Sequence, residues 1–513
     1  MNFYLGLDIG TGGTKSILIN DKGRVICNSS FEYKMYTPKP LWSEQNPEDW
    51  WKAAQKSFNE ILNKSGIKNS DVKGIGLTGQ MHGLVLLDVS GKVLRPCIMW
   101  NDQRTLKECE EITNKIGFKR LLKITGNPVL PGFTAPKILW VKKHEPNIYE
   151  KIGHILLPKD YIRFCLTGEF ATDVSDASGT LLLDLNKRNW SDEILKQLEI
   201  PKVWLSKVYE SPEVTGKISK EAEKKTGLPA GTIVVAGGGD QAAGGVGTGT
   251  VNEGITSVVL GTSGVIFSHT NKLIIEQEGK LHTFCHAVPD AWHVMGVTLS
   301  AAGSFKWYKE IFGEVEKEKA FQKKKNVYDI LIKQAEKISA GSEGLFFLPY
   351  LSGERTPHPD PNAKGTFTGF TVRHDKSHFT RAVIEGITYS LRDCLELNRN
   401  LGLKTEQFRT SGGGAKSKFW LQLLADVFNA EIITLTSTEG ASYGAALLAS
   451  VGAGEFDNIK EACQTSIKIK LGYKPQKENV NLYNDFYNVY KNLYPSLKNS
   501  FKEISIVIEK YVS

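Results

Sequence analysis

Apolar and polar positions alternate with period two from the first residues. Leu5, Leu7 and Ile9 are followed by a glycine turn and then by Ile17 and Ile19, with Asp21, Lys22 and Gly23 closing the run. Such alternation broken by glycine predicts a β-hairpin at the start of the chain. Strand-like runs recur at VKGIGLTGQ (72–80), HGLVLLDVSG (82–91) and GHILLPKD (153–160), while PEDWWKAAQKSFNEILNKSG (47–66) reads as helix. Strands interleaved with helices predict α/β layers.

Near residue 233 the pattern begins again. TIVVAGGGDQAAGGVGTGTV (232–251) leads to ITSVVLGTSGVIFS (255–268), where strand, Gly-Thr-Ser-Gly turn and strand repeat the layout of the first twenty residues. Either two related lobes each present one glycine turn, or two unrelated turns share a common form; these segments alone do not decide. The length of 513 residues exceeds what a single core supports, so two lobes are expected, divided as 1–247 and 248–513. The lysine-rich stretch 314–337 places Phe321, Ile330, Leu331 and Ala335 near one side of a helix, which reads as a solvated helix rather than a nucleic-acid site. After Pro475 the tail carries aromatics at helical spacing and is expected to close on a lobe.

Composition adds exclusions. A net charge of +8, from 64 basic and 56 acidic side chains, is spread thinly and argues against a nucleic-acid binder. No apolar run approaches the ~18–20 residues of a membrane span, and the N-terminus lacks a basic leader, so neither membrane nor export is expected. The seven cysteines are scattered without C-x-x-C, as in a reducing, cytoplasmic compartment. The 49 glycines are clustered without a G-x-y period, which excludes collagen and points to the clusters themselves.

GTGGTKS (10–16) is neither a Walker motif nor G-x-G-x-x-G, and it leads into a strand where both of those loops lead into a helix. What remains is a hairpin whose backbone amides can approach an anion, with Thr11, Thr14 and Lys15 as further donors. Asp8 repels phosphate unless a metal ion lies between them. A tight turn with a satisfied Asp is the plainer reading of this segment alone. FRTSGGGAKSKFWLQLLADVFNAEI (408–432) reads as strand, triple glycine and amphipathic helix, a second anion-accepting arrangement. HTFCH (282–286) alternates as a strand, which puts His282 and His286 on one face and Cys285 on the other, so no zinc site is expected.

These motifs resemble those of the FGGY carbohydrate kinases, from residue 1 to about residue 495. DIGT (8–11), GQMHG (79–83), LRPCIMWND (94–102), VAGGGDQAAG (235–244), LGTSG (260–264), FLPYLSGERTPH (347–358) and SGGGAKSKFW (411–420) stand in family order, and GQMHG, WND and the SGERTPH segment look most like the xylulokinase branch. The resemblance implies two actin-like (ribonuclease-H-like) ATPase lobes with a cleft between them, and ATP- and Mg2+-dependent phosphorylation of D-xylulose to D-xylulose 5-phosphate. By motif, Asp240 is implied as catalytic base, and Met81, His82, Trp100, Asn101, Asp102 and Gln241 as sugar-site residues. Thr11, Gly12 and Gly13 match the first phosphate hairpin and Gly261, Thr262 and Ser263 the second. Gly413, Gly414 and Ala415 match the adenosine motif, Gly303 a position near the nucleotide, and Asp8 the metal-associated carboxylate.

Gly12, Gln241 and Lys418 depart from the residues common in the family. The implied partners are a small sugar and ATP, with the oligomeric state open and a homodimer one possibility. The competing readings are an FGGY kinase of ribulose, gluconate or glycerol, and a non-catalytic actin-like ATP-binding protein, which would have no need of a base at Asp240.

Overall fold

The opening alternation folds as the sequence predicts: β1 (Phe3–Ile9) and β2 (Gly13–Asn20) pair antiparallel, with Asp8 opposite Lys15 and Ile9 opposite Thr14. These coordinates are a computed structural model describing residues 1–437 and 439–511. Two units are distinguished by their internal contacts. The first comprises Met1–Asn252, His269–His293 and Glu439–Lys468; the second comprises Glu253–Ser268, Val294–Thr438 and Ile469–Ser513. The linear division at 247/248 therefore differs from the observed units at three stretches, 248–252, 269–293 and 439–468. Residues 439–468 return to the first unit because their helix Gly440–Gly452 is built of small residues that fit closely against its sheet.

In the first unit, β3 (Val25–Glu32) extends the hairpin, while β4 (Val72–Gly79) lies parallel to β1. Beyond β4 come β5 (Val214–Lys217), β6 (Ile233–Val235) and the short β7 (Gly238–Gly239), giving the order β5-β6-β4-β1-β2-β3 with β7 also on β4. The helix Pro47–Ser65 forms as expected, with Asn46 capping its first turn and Trp50, Phe58 and Ile61 buried. Helix Gly440–Gly452 lies against β1, β4 and the helix Asp240–Thr248 at backbone distance. A methyl group at Gly76 would sit 1.8 Å from Ala445 O, one at Gly6 1.9 Å from Ser442 O, and one at Gly444 1.8 Å from Ala243 O.

The second unit repeats the device. β8 (Gly254–Leu260) and β9 (Gly264–Thr270) form an antiparallel hairpin. With β10 (Trp292–Thr298), β11 (Thr405–Gly412), β12 (Glu431–Leu435) and β13 (Ile469–Tyr473), its seven-stranded sheet includes the run β10-β9-β8-β11-β12-β13. As β4 runs parallel to β1, so β11 runs parallel to β8, which decides the open question in favour of two related units. The long helix Lys376–Asn400, closed at its start by a reciprocal Asp375–His378 capping box, carries much of this unit's core.

Two details depart from the sequence reading. The stretch 314–337 forms two helices, Glu314–Lys323 and Val327–Ala335, interrupted by Lys324 in a left-handed conformation. The break leaves Phe321 85% exposed instead of beside Leu331 and Ala335. The tail likewise forms two helices, Lys477–Tyr490 and Leu493–Tyr511, the first burying Tyr483, Tyr487 and Tyr490. No helix of the described residues is long and apolar enough to cross a membrane.

Backbone-distance packing makes a sharp prediction about stability. Gly444→Ala forces a methyl into Ala243 O and should lower unfolding free energy by about 2 kcal/mol or more. Gly244→Ala, where an added methyl meets nothing within 4 Å, should leave stability unchanged or raise it by up to about 1 kcal/mol. Denaturant titration of both variants distinguishes them.

Candidate active site

Asp8 ends β1 and Asp240 opens the helix Asp240–Thr248, so two carboxylates project from one end of the first unit's sheet. Burial raises Asp8 to about 7, the nearby Asp240 charge adds to the shift, and Lys15 opposes it. Burial also raises Asp240 to about 6, against hydrogen bonding from the backbone and side chain of Gln241. Gln241 is thereby engaged with Asp240 itself. Asp8 Oδ1 is shut from solvent without a hydrogen-bond partner. A buried carboxylate oxygen left unsatisfied beside a second carboxylate suits a hard divalent cation, and a Mg2+ held by one or two carboxylates plus phosphate needs no larger protein cage. His282–Cys285 forms a buried strand, as its alternation predicts.

The turn between β1 and β2 is closed by Gly10 N–H donating to Gly13 O at 3.0 Å, and Gly13 passes too near Phe31 O to carry a side chain. Around Gly12 there is open space, so the sequence departure there removes a hydroxyl without any steric need for glycine. Thr14 is buried within β2 and Lys15 pairs with Glu439. The carbonyls of Thr11, Gly12 and Gly13 accept from Gln45 Nε2, Tyr33 N and Gly10 N, so the turn has only amide donors to offer an anion. The role expected of Lys15 as a direct phosphate donor competes with its pairing to Glu439, whereas the buried Thr14 hydroxyl has no hydrogen-bond partner among the described residues.

Beside the turn lies the GQMHG loop. Met81 is buried against Gly239, where a methyl would meet its side chain at 2.9 Å, so it abuts the residue preceding Asp240. His82 holds a left-handed backbone (φ 69°), and its Nδ1 donates to Gly179 O at 2.6 Å. Its carbonyl accepts from Thr134 Oγ1 at 3.1 Å and from the buried Lys137 Nζ at 2.9 Å. Burial depresses Lys137 to about 7. Trp100 is partly exposed and donates to Thr11 Oγ1 at 2.9 Å, which joins a sugar-site candidate to the phosphate turn. Asn101 Oδ1 is enclosed and unpaired. Asp102 differs from the expectation of a sugar contact. It is fully buried and its carboxylate accepts from Ser43 N at 2.6 Å and from Arg104 at 2.7 and 2.9 Å, so its valence is spent on organising the loop.

Two supports escaped the sequence reading. Gln45 donates to Thr11 O at 2.7 Å and accepts from Gln80 Nε2 and Trp50 Nε1, both at 3.0 Å, tying the phosphate turn to the GQMHG loop. Beneath Asp240, the wholly buried Lys159 contacts Asp160, Asp173 and Asp176 at 2.6, 2.9 and 3.4 Å. Ser175 donates to Asp173 and accepts from Gly239 N–H at 3.1 Å, so this ionic cluster reaches the residue before Asp240. Burial raises Asp176 well above the ordinary carboxylate range, which moderates the charge imbalance. Contacts between distant segments have no periodic signature, so neither support was legible from the pattern of the sequence.

In the second unit, the turn Gly261–Ser263 accepts the start of helix Ala302–Phe312. Ala302 N donates to Gly261 O at 2.9 Å, and Gly303 N to Thr262 O at 3.1 Å. Gly303 therefore stands against the second hairpin, where a methyl would lie 2.7 Å from Thr262 O. β11 ends at Gly412 with φ 90°, and Gly414–Lys416 form a short 3-10 turn before the helix Lys418–Phe428, capped by Ser417. The glycine cluster is thus one turn removed from the helix end expected to receive a ligand. It borders a cavity of about 1090 Å³ whose walls include Ala302, Phe305, Tyr328, Gly413, Gly414 and Trp420. Aromatic side chains at Phe305, Tyr328 and Trp420 beside a glycine backbone suit a purine base.

Residues 3–247 match the N-terminal domain of the FGGY family of carbohydrate kinases, and residues 256–453 match its C-terminal domain. Xylulose kinase of Bacillus subtilis (strain 168) is 41% identical over 489 residues, covering 95% of this chain and 96% of the relative. Xylulose kinase of Escherichia coli (strain K12) is 42% identical over 459 residues, covering 89% and 92%. A crystal structure described as a xyloylose kinase from Brucella ovis superposes with a TM-score of 0.90 at 37% identity, covering 97% of this chain and all of the other.

The carboxylate pair predicts a pH-dependent cost. Because Asp8 is raised in the fold, its burial is tolerated while it is protonated and destabilises as pH climbs from about 4 to about 7. Metal-free Asp8→Asn should match the parent near pH 4 and exceed its stability at pH 8 by roughly 1–3 kcal/mol, as read by denaturant midpoints. Mg2+ with ATP should narrow the difference.

Proposed function

Because this chain belongs to the FGGY family of carbohydrate kinases, we infer that it transfers the γ-phosphoryl group of ATP to D-xylulose, giving D-xylulose 5-phosphate and ADP. The observation that carries the reading is the near-full-length likeness to xylulose kinases at about 40% identity. Asp240 serves as general base. A sugar hydroxyl is a weak nucleophile, and phosphoryl transfer through a loose transition state asks the protein mainly for alignment, charge stabilisation and a proton acceptor. A carboxylate raised to about 6 is ionised at neutral pH yet more basic than an exposed Asp, which fits that task.

Met81 and His82 border the base and bind the sugar, with His82 Nδ1 fixed as a donor to Gly179. Trp100 and Asn101 adjoin the phosphate turn and add sugar contacts, while Asp102 and Gln241 act by positioning the loop and the base. Thr11–Gly13 and Gly261–Ser263 receive the phosphates, and Gly413, Gly414 and Ala415 border adenosine. Asp8 would hold Mg2+, which supplies neutralisation of phosphate charge when bound. Among the described residues the seven cysteines form no disulfide, which suits a reducing cytoplasm.

A coupled ADP-release assay over pentuloses, hexuloses, glycerol and gluconate tests the substrate. Turnover is expected with D-xylulose far above the others; preference for another acceptor would redirect the assignment, and silence with every sugar would contradict it. Asp240→Asn should retain ATP binding while turnover falls by about 10²–10⁴-fold. His82→Ala should weaken apparent sugar affinity; an unchanged value would place His82 outside the sugar site.

A further inference from the structure

The walls of the second unit's cavity hold far more positive charge than a nucleoside requires. The lysine-rich stretch contributes Lys319 and Lys323 from one helix, Lys333 and Lys337 around the next, and Lys325 at the break between them. Lys416 and Lys418 add two more from beside the glycine turn, so seven lysines stand against only Asp329 and Glu336. All seven are exposed, and among the described residues none makes an ion pair with an acid. Lys319 and Lys323 are four apart on one helix, an arrangement in which like charges destabilise it. Other lysines nearby are neutralised, as Lys317 is by Glu310 and Lys376 by Glu316. The uncompensated charge is therefore concentrated around the cavity.

We propose that these lysines form an oligophosphate-binding rim, recognising the phosphate chain of a nucleotide and also free inorganic oligophosphate. The proposal rests on the reading that the cavity takes adenosine, and extends it by assigning charge recognition to side chains outside the two phosphate hairpins. A concave surface lined by one sign of charge raises the local concentration of a polyanion and holds it with a strength that falls with salt.

Calorimetric titration of the full chain with tripolyphosphate, ATP and adenosine separates the contributions. The triple variant Lys323→Gln/Lys325→Gln/Lys333→Gln is compared with the parent; all three positions are exposed. Tripolyphosphate and ATP should each lose about tenfold or more in affinity, with a shallower salt dependence, while adenosine, being uncharged, should bind as before. Equal tripolyphosphate and ATP affinity in parent and variant would overturn the rim and leave the kinase reading intact. Absence of adenosine binding with variant-sensitive tripolyphosphate binding would keep the rim and remove the nucleoside assignment. An equal loss for adenosine would show damage to the cavity instead of loss of charge recognition, and would also overturn the proposal.

Discussion

Backbone-to-backbone contact between helix Gly440–Gly452 and its neighbours is the constraint on which the first unit's chemistry depends. Gly6 on β1, Gly76 on β4 and the Ala243–Gly247 part of the Asp240 helix all meet this one helix without intervening side chains. Asp8 lies two residues beyond Gly6, and Asp240 opens the helix that meets Gly444. Close approach leaves little freedom for either element to slide, because interiors packed at crystal-like density transmit rather than absorb displacement. The carboxylate spacing is thus held by glycine packing, at the cost of burying charge on both groups.

That cost is moderated by polar structure beneath. The Lys159 cluster places a cation among three aspartates and reaches the base through Ser175 and Gly239 N–H. Gln45 and Gln80 perform a comparable service for the phosphate turn, whose carbonyl at Thr11 would otherwise lose a partner. Lys137 and Thr134 hold His82 in a conformation that side chains other than glycine rarely adopt. In each case a buried group restricts a residue of the candidate site.

Local pattern carried a large part of this in advance. The two glycine hairpins, the Pro47–Ser65 helix and the glycine cluster before β11's following helix were legible because period-two and period-3.6 alternation are properties of contiguous sequence. Asp240 and the GQMHG loop were legible only through family resemblance, since a single Asp after three glycines reads equally well as a helix start. The return of residues 439–468 to the first unit was not legible. Its cause is a row of small residues meeting glycines hundreds of positions away, and no periodicity marks that pairing. The lysine stretch was read correctly as solvated, but its place around a cavity depends on the break at Lys324 and on Gly413–Lys418 arriving from elsewhere.

The central claim is that burial tunes Asp240 into a base that is ionised at neutral pH and neutralised in mild acid. The pH dependence of kcat/KM for D-xylulose at saturating ATP and Mg2+ tests it most directly. The account predicts an acid limb of unit slope with an apparent pKa near 6, about two units above an ordinary Asp. A profile that stays flat from pH 7 down to pH 4.5 would contradict it.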